Sequence, residues 1–341
     1  MNHSNSFCPG DRTRSLMRYL HGPLRKGVIL AFLLSANQLR GQQSDRSAIA
    51  PPDVYVHVDL VRNELEAIRF VMGRPKNQQK ELGVTGAAPR EVYFQVLTMY
   101  RKSDRLCFEH CRIHGEEPPL VTGEIHPGDV HYVTNLALQR LRLVKQKLGI
   151  DDQVTPANLD PSKTPTDVFR AAVQANRQLN LLLDRQVAPS DVFQQVTTGV
   201  GYAARLLEQF PEATEIPADP DFEVGKRPAD VYQRLLRCFR KIREIAALSG
   251  LQMLELEVGK DEISQAQPSD VYDIASLLVS ELAFLHSQLE DSAPPREVYF
   301  VGRKFPSHVY QRAGILELQL DALKTHVAEH PSWLNPEGTP P

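Results

Sequence analysis

Apolar residues recur along this chain at alternating steps of four and three. From Val54 the series runs Val58, Val61, Leu65, Ile68 and Met72; from Val271 it runs Ala275, Leu278, Leu282, Leu285 and Leu289. The same spacing follows Val309 (Ala313, Leu316, Leu320, Leu323, Val327) and Val168 (Ala172, Ala175, Leu179, Leu182). Steps of four and three keep every member on one stripe of an α-helix. Their mean period of about 3.5 is that of helices packed nearly side by side. The pattern predicts an all-α fold.

Each stripe opens with the same phrase, proline–x–acid–valine–aromatic: "PPDVY", "APREVY", "HPGDVHY", "TPTDVF", "APSDVF", "RPADVY", "QPSDVY", "PPREVY" and "FPSHVY". Its valines are Val54, Val92, Val130, Val168, Val192, Val231, Val271, Val298 and Val309, at steps of 38, 38, 38, 24, 39, 40, 27 and 11. Passing over Val298 restores 38, and a recurrent period of that size marks a repeat architecture. Proline suits the first helical position, where its missing N–H has no partner to lose. The acid lies in the first turn, where free N–H groups and the helix dipole favour negative charge. It compensates for poor capping residues before the proline, since only Thr164 is a good N-cap.

About eight long helices are expected, joined mostly by long connectors containing proline and glycine, as a repeat-built bundle or a solenoid. Most connectors are long enough to run back along a helix of about 33 Å, so both parallel and antiparallel neighbours are open. Between Asp184 and Pro189 only "RQVA" remains, which predicts that the Val168 and Val192 helices form an antiparallel hairpin. The copy at Val298 meets Gly302 and Pro306, so it should be a short helix or turn in the last connector. The connectors share "VTG" at Val84 and Val121 and "VTP" at Val154, read as a common packing element along the bundle.

Composition adds limits. The 341 residues are 42% apolar and 24% charged, which fits a folded body. The net charge of −3 is uneven: residues 1–47 carry +5 and the rest −8. An acidic body argues against a nucleic-acid partner. In the basic segment, "LRKG" precedes the apolar run Val28–Ala36, too short for a comfortable membrane span and suited to a signal peptide. Residues 1–47 therefore read as a signal peptide or N-terminal anchor with a disordered flank. Residues 48–330 read as one helical repeat domain, and 331–341 as a disordered tail. The expected location is periplasmic or secreted, with membrane contact only through an uncleaved N-terminus. Four cysteines (Cys8, Cys107, Cys111, Cys238) do not make a disulfide scaffold.

Candidate chemistry is sparse. Cys107, His110, Cys111 and His114 fall at i, i+3, i+4 and i+7 on one helix face, and thiolates with imidazoles suit zinc or copper(I). Against this, His110 occupies a core-stripe position. "HVAEH" at 326–330 matches an inverted zinc-protease phrase, but it closes a helix just before Pro331 and reads better as last-turn cations. Arg237, Lys241 and Glu244 share a face of "RLLRCFRKIRE", a conceivable anion-binding patch. The motif aromatics Tyr55, Tyr93, Phe169, Phe193, Tyr232, Tyr272, Tyr299 and Tyr310 are the residues through which repeats could line a common cavity. No nucleophile elbow or phosphate-cradling loop occurs. These features point to an exported, non-enzymatic interaction or scaffold module of the cell envelope, without a cofactor, whose partner is another envelope or secreted protein. The alternative is a small-ligand- or metal-binding helical bundle of sensor type.

Overall fold

A computed structural model describes residues 49–334 except 80, 119–120, 122–123, 184–186, 211–217, 290–292, 297 and 299. Residues 1–48, which hold the expected signal peptide or anchor, Tyr299 and the tail from 335 lie outside the described residues. Among the described residues eight long helices each begin at a motif proline. They are α1 (Pro51–Val71), α2 (Pro89–Cys111), α3 (Pro127–Leu148), α4 (Pro165–Leu182), α5 (Pro189–Leu207), α6 (Pro228–Leu248), α8 (Pro268–Ser287) and α9 (Pro306–Glu329). A short α7 (Lys260–Ser264) and two strands, β1 (Gly83–Thr85) and β2 (Glu255–Glu257), lie in connectors.

The local chemistry of the motif is as the sequence predicts. In seven of the long helices the motif acid accepts the backbone N–H of the residue before proline at 2.7 to 3.0 Å. In α9 the acid is replaced, and His308 Nδ1 accepts the Phe305 N–H at 3.2 Å. The third residue of each helix thus secures its start even where the N-cap side chain is Ala.

The stripes then bury. Val58, Val61, Leu65 and Ile68 of α1, Leu282 and Leu285 of α8, and Leu316, Leu320 and Leu323 of α9 are almost wholly withdrawn from solvent. They sort into two sets of four helices. In the first bundle α1 packs on α3 and α4, and α2 packs on the same two. In the second, α5 packs on α8 and α9, and α6 packs on the same two. Both bundles therefore have the same ring order, in which the first and second helices of a set sit diagonally.

All four helices of a bundle start at the same end. Pro51, Pro89, Pro127 and Pro165 meet there with Val54, Val92, Val130 and Val168. Pro189, Pro228, Pro268 and Pro306 meet at the second bundle's end with Val192, Val231, Val271 and Val309. Four parallel helices put four positive dipole ends side by side, an arrangement that the motif acids offset. The long connectors are the corollary, since each must carry the chain back along the bundle before the next helix can begin. "VTG" and "VTP" help them do so: Val84 is buried, and Val121 and Val154 pack against the core.

The bundles lie antiparallel. Arg90, at the start of α2, stacks over the ring of Phe284 near the end of α8. Lys102, halfway along α2, pairs with Asp273 near the start of α8 at 2.9 Å. Opposed bundles cancel much of each other's net dipole. This arrangement corrects the expected hairpin. The helices that begin near Val168 and Val192, α4 and α5, do run in opposite senses, but they are not packed on each other. Each has its stripe committed to its own bundle, so the short link joins two bundles instead of folding one pair.

Where a short helix or turn is expected of the Val298 copy, the described residues of the last connector form no helix, and the chain bends at Gly302. And β1 pairs with β2 in antiparallel register (Gly83 with Glu257, Val84 with Leu256, Thr85 with Glu255), tying a connector of one bundle to a connector of the other. The domain also extends past 330, for Trp333 packs beside Phe210 and its Nε1 donates to Ser249 Oγ at 2.8 Å.

Candidate functional site

Among the described residues the motif aromatics occupy several separate settings, and only Phe169 and Tyr232 line one of the cavities below together. What the repeats bring together is the proline and valine of each phrase, and each ring of eight leaves about 10 Å³, at or below what one water needs. The aromatic, next to valine, is turned away from this axis. Tyr93 is buried, and burial raises its phenol above its ordinary range. Tyr55 carries Lys163 over its ring. Phe193 meets Phe300 edge-on, with Lys304 and Arg312 over it. Tyr310 lies under Lys226 and Arg234.

Phe169, Tyr232 and Tyr272 lie at the seam between the bundles, where most of the unusual electrostatics gathers. Phe169 and Tyr232 both line a cavity of about 30 Å³, together with Gln95, Arg177, Asp270 and Asp273. Polar pairs cross the seam: Lys102 with Asp273, Arg177 with Glu262 at 3.3 Å, and Gln79 Nε2 with Asp270 Oδ1 at 2.9 Å. Burial raises the Asp270 and Glu262 carboxyls and the Tyr232 phenol above their usual ranges. Tyr272, beneath Lys102, is raised for the same reason.

Farther along the seam, Glu91 and Glu281 are buried near one another with Arg90. Glu91 is held by Arg90 at 2.9 Å and by the backbone N–H of Leu254 at 3.4 Å. Neither carboxylate oxygen of Glu281 finds a hydrogen-bond partner among the described residues. Burial, reinforced by Glu91, pushes the Glu281 carboxyl well above the ordinary range. Sequence reading missed these acids, although a signal was present. Asp273, Ser276, Ser280 and Glu281 form a polar stripe at helical spacing through the otherwise apolar "DIASLLVSELAF".

The Cys/His cluster does not converge. Cys107 is buried in the core, and burial with its neighbour Cys111 pushes its thiol up to about 11. The Cys111 thiol points at the Leu143 carbonyl, 3.6 Å away. His114 is outside, with Nδ1 3.0 Å from Asp104 Oδ2 and its ring stacked on Phe108. Among the described residues no group of three His, Cys, Asp or Glu side chains could hold a metal ion. In "HVAEH", both imidazoles pack on Phe210.

The supposed anion patch on α6 is already occupied. Arg234 and Arg237 each donate to Glu317 of α9 at 2.8 Å, Lys241 pairs with Asp321 at 2.6 Å, and Lys324 reaches back to Glu244 at 2.5 Å. This ladder fastens α6 to α9. Burial would raise Glu317, but the hydrogen bonds from Arg237 and Arg234 prevail and hold its carboxyl below the ordinary range. Its stabilisation is therefore present above that range and is lost as acid protonates it. Glu317→Ala is expected to cost about 2 kcal/mol at neutral pH, measured by urea unfolding, and progressively less as the pH falls below the ordinary carboxylate range.

One open cleft is large enough for a small molecule. It measures about 420 Å³ and lies between α1, α3 and the start of the next connector. Lys145 and Glu64, both buried, pair at 2.6 Å on its wall, with Arg142, Asp151 and Asp152 around them.

The fold thus defines a class of its own description, a tandem of two parallel four-helix bundles packed antiparallel across a polar seam. No protein-family model, curated protein or solved structure matches the chain.

Proposed function

We propose that this protein is an exported, non-enzymatic interaction or scaffold module of the cell envelope, acting on another envelope or secreted protein. The observation that carries this reading is where its chemistry-bearing side chains go. Motif acids cap helices, the arginines of α6 hold α9, and Cys107 and Cys238 are core residues. The connectors, by contrast, expose apolar side chains such as Leu159, Val224 and Val301. Rigid helices presenting exposed apolar loops make a contact surface. A photo-crosslinker at Leu159, introduced into the full chain in its own cells, is expected to trap one dominant envelope protein. Diffuse labelling, or none, would count against the proposal. Export is tested separately, by finding whether the N-terminal sequence of the mature protein begins beyond the apolar run Val28–Ala36.

The cleft beside Lys145 favours a second reading, a bundle that binds a small polar ligand. A metabolite that raises the melting temperature of the wild type, but not of Lys145→Met, would establish it.

A further inference from the structure

We propose that the end of the second bundle around the start of α9 is a self-complementary surface, and that its occupant is a second copy of this chain. Two connectors meet there at His308. Phe222 of one stands 5.0 Å from the imidazole, and Phe305 of the other stands 5.9 Å from it. These rings are 46% and 51% exposed, and their neighbours Val224 and Val301 are 82% and 86% exposed. Exposed apolar side chains in two connectors that meet at one imidazole mark a contact site.

The charges next to the two rings differ in sign, although the first connector also carries Lys226, paired with Glu223 at 2.6 Å, and Arg227. Phe222 is preceded by the exposed acids Asp219 and Asp221. Phe305 follows the cations Arg303 and Lys304. Arg303 sits over the ring of Phe305, and Lys304 is fixed by its backbone bond to Ser190 Oγ at 2.9 Å. Acids beside one ring and cations beside the other can match those of a second copy after a half-turn. A two-fold pairing then lays the acids of each copy on the cations of the other.

The departure of α9 from the motif fits the same surface. Seven long helices place a carboxylate at the capping position; the eighth, beside the two exposed rings, places His308. Its Nδ1 accepts the Phe305 N–H and so keeps the cap without a carboxylate.

The test uses charge reversal on the full chain, with circular dichroism to check that each variant is folded. Sedimentation velocity of the wild type at micromolar concentration should show a dimer. Arg303→Glu with Lys304→Glu, and separately Asp219→Lys with Asp221→Lys, should each weaken it about tenfold or more. Mixing the two variants should restore the dimer, because every facing pair is then opposite in sign. A wild type that stays monomeric overturns the proposal. So does association that both variants retain unchanged, or variants that fail to pair on mixing. Capture of an envelope partner is a separate readout, so this inference and the proposed function can fail independently.

Discussion

Val231→Asp is expected to destabilise the protein by more than about 4 kcal/mol, whereas Val231→Thr, of nearly the same shape, should cost about 1 kcal/mol. Val231 is buried in the ring of prolines and valines at the end of the second bundle, where no polar group is free to receive a carboxylate. The capping carboxylates Asp191, Asp230 and Asp270 belong to helices of the same ring, so a further acid adds repulsion to desolvation. A threonine hydroxyl can instead bond a backbone carbonyl one turn earlier. Urea unfolding of both variants decides the matter. If the aspartate were tolerated within about 1 kcal/mol, the four helix starts could not meet in a closed apolar ring.

The second large effect concerns the seam. Glu281→Gln is expected to stabilise the protein at pH 8 by about 1–3 kcal/mol, the range for a buried polar group left without a partner. The sign follows from linkage. Burial and Glu91 raise the Glu281 carboxyl in the folded state, so between the ordinary carboxylate range and its raised value the folded protein binds the extra proton. Stability therefore falls as pH rises through that window, by up to about 1.4 kcal/mol per pH unit. The amide cannot ionise, so its advantage should vanish near pH 4 and grow toward neutrality. Unfolding curves from pH 4 to pH 8 test this. An equal difference at every pH would mean that Glu281 does not carry a raised carboxyl.

Much of the local structure was legible because its causes lie close together in sequence. Proline, acid and valine occupy adjacent turns, and the stripe from Val309 to Val327 announces its own helix. The grouping of helices was not legible. The stripes at Val54 and Val271 are chemically interchangeable, and nothing in either says which three others it joins. Long connectors also removed the usual inference of direction, and the one short link invited a hairpin, because spacing alone cannot show that α4 and α5 face different cores. The seam depends on pairs such as Lys102 and Asp273, 171 residues apart. Of the candidate sites, the Cys/His cluster was over-read, since shared helical spacing placed Cys107 inward and His114 outward. His308 carried a visible signal, as the one motif copy without an acid.

The opposed bundles fix where the polypeptide enters and leaves. Helix α1 starts at the first bundle's proline ring, and α9, running the other way, finishes at that same pole. Ile49 and Leu334 therefore depart from one side of the molecule, while His308 stands at the far side, about 30 Å away along helices of some twenty residues. A tether attached through either terminus would hold the Phe222–Phe305 face outward, at full reach. Two copies joined through that face would form a strut with attachment points at opposite tips, separated by a span on the order of 60 Å.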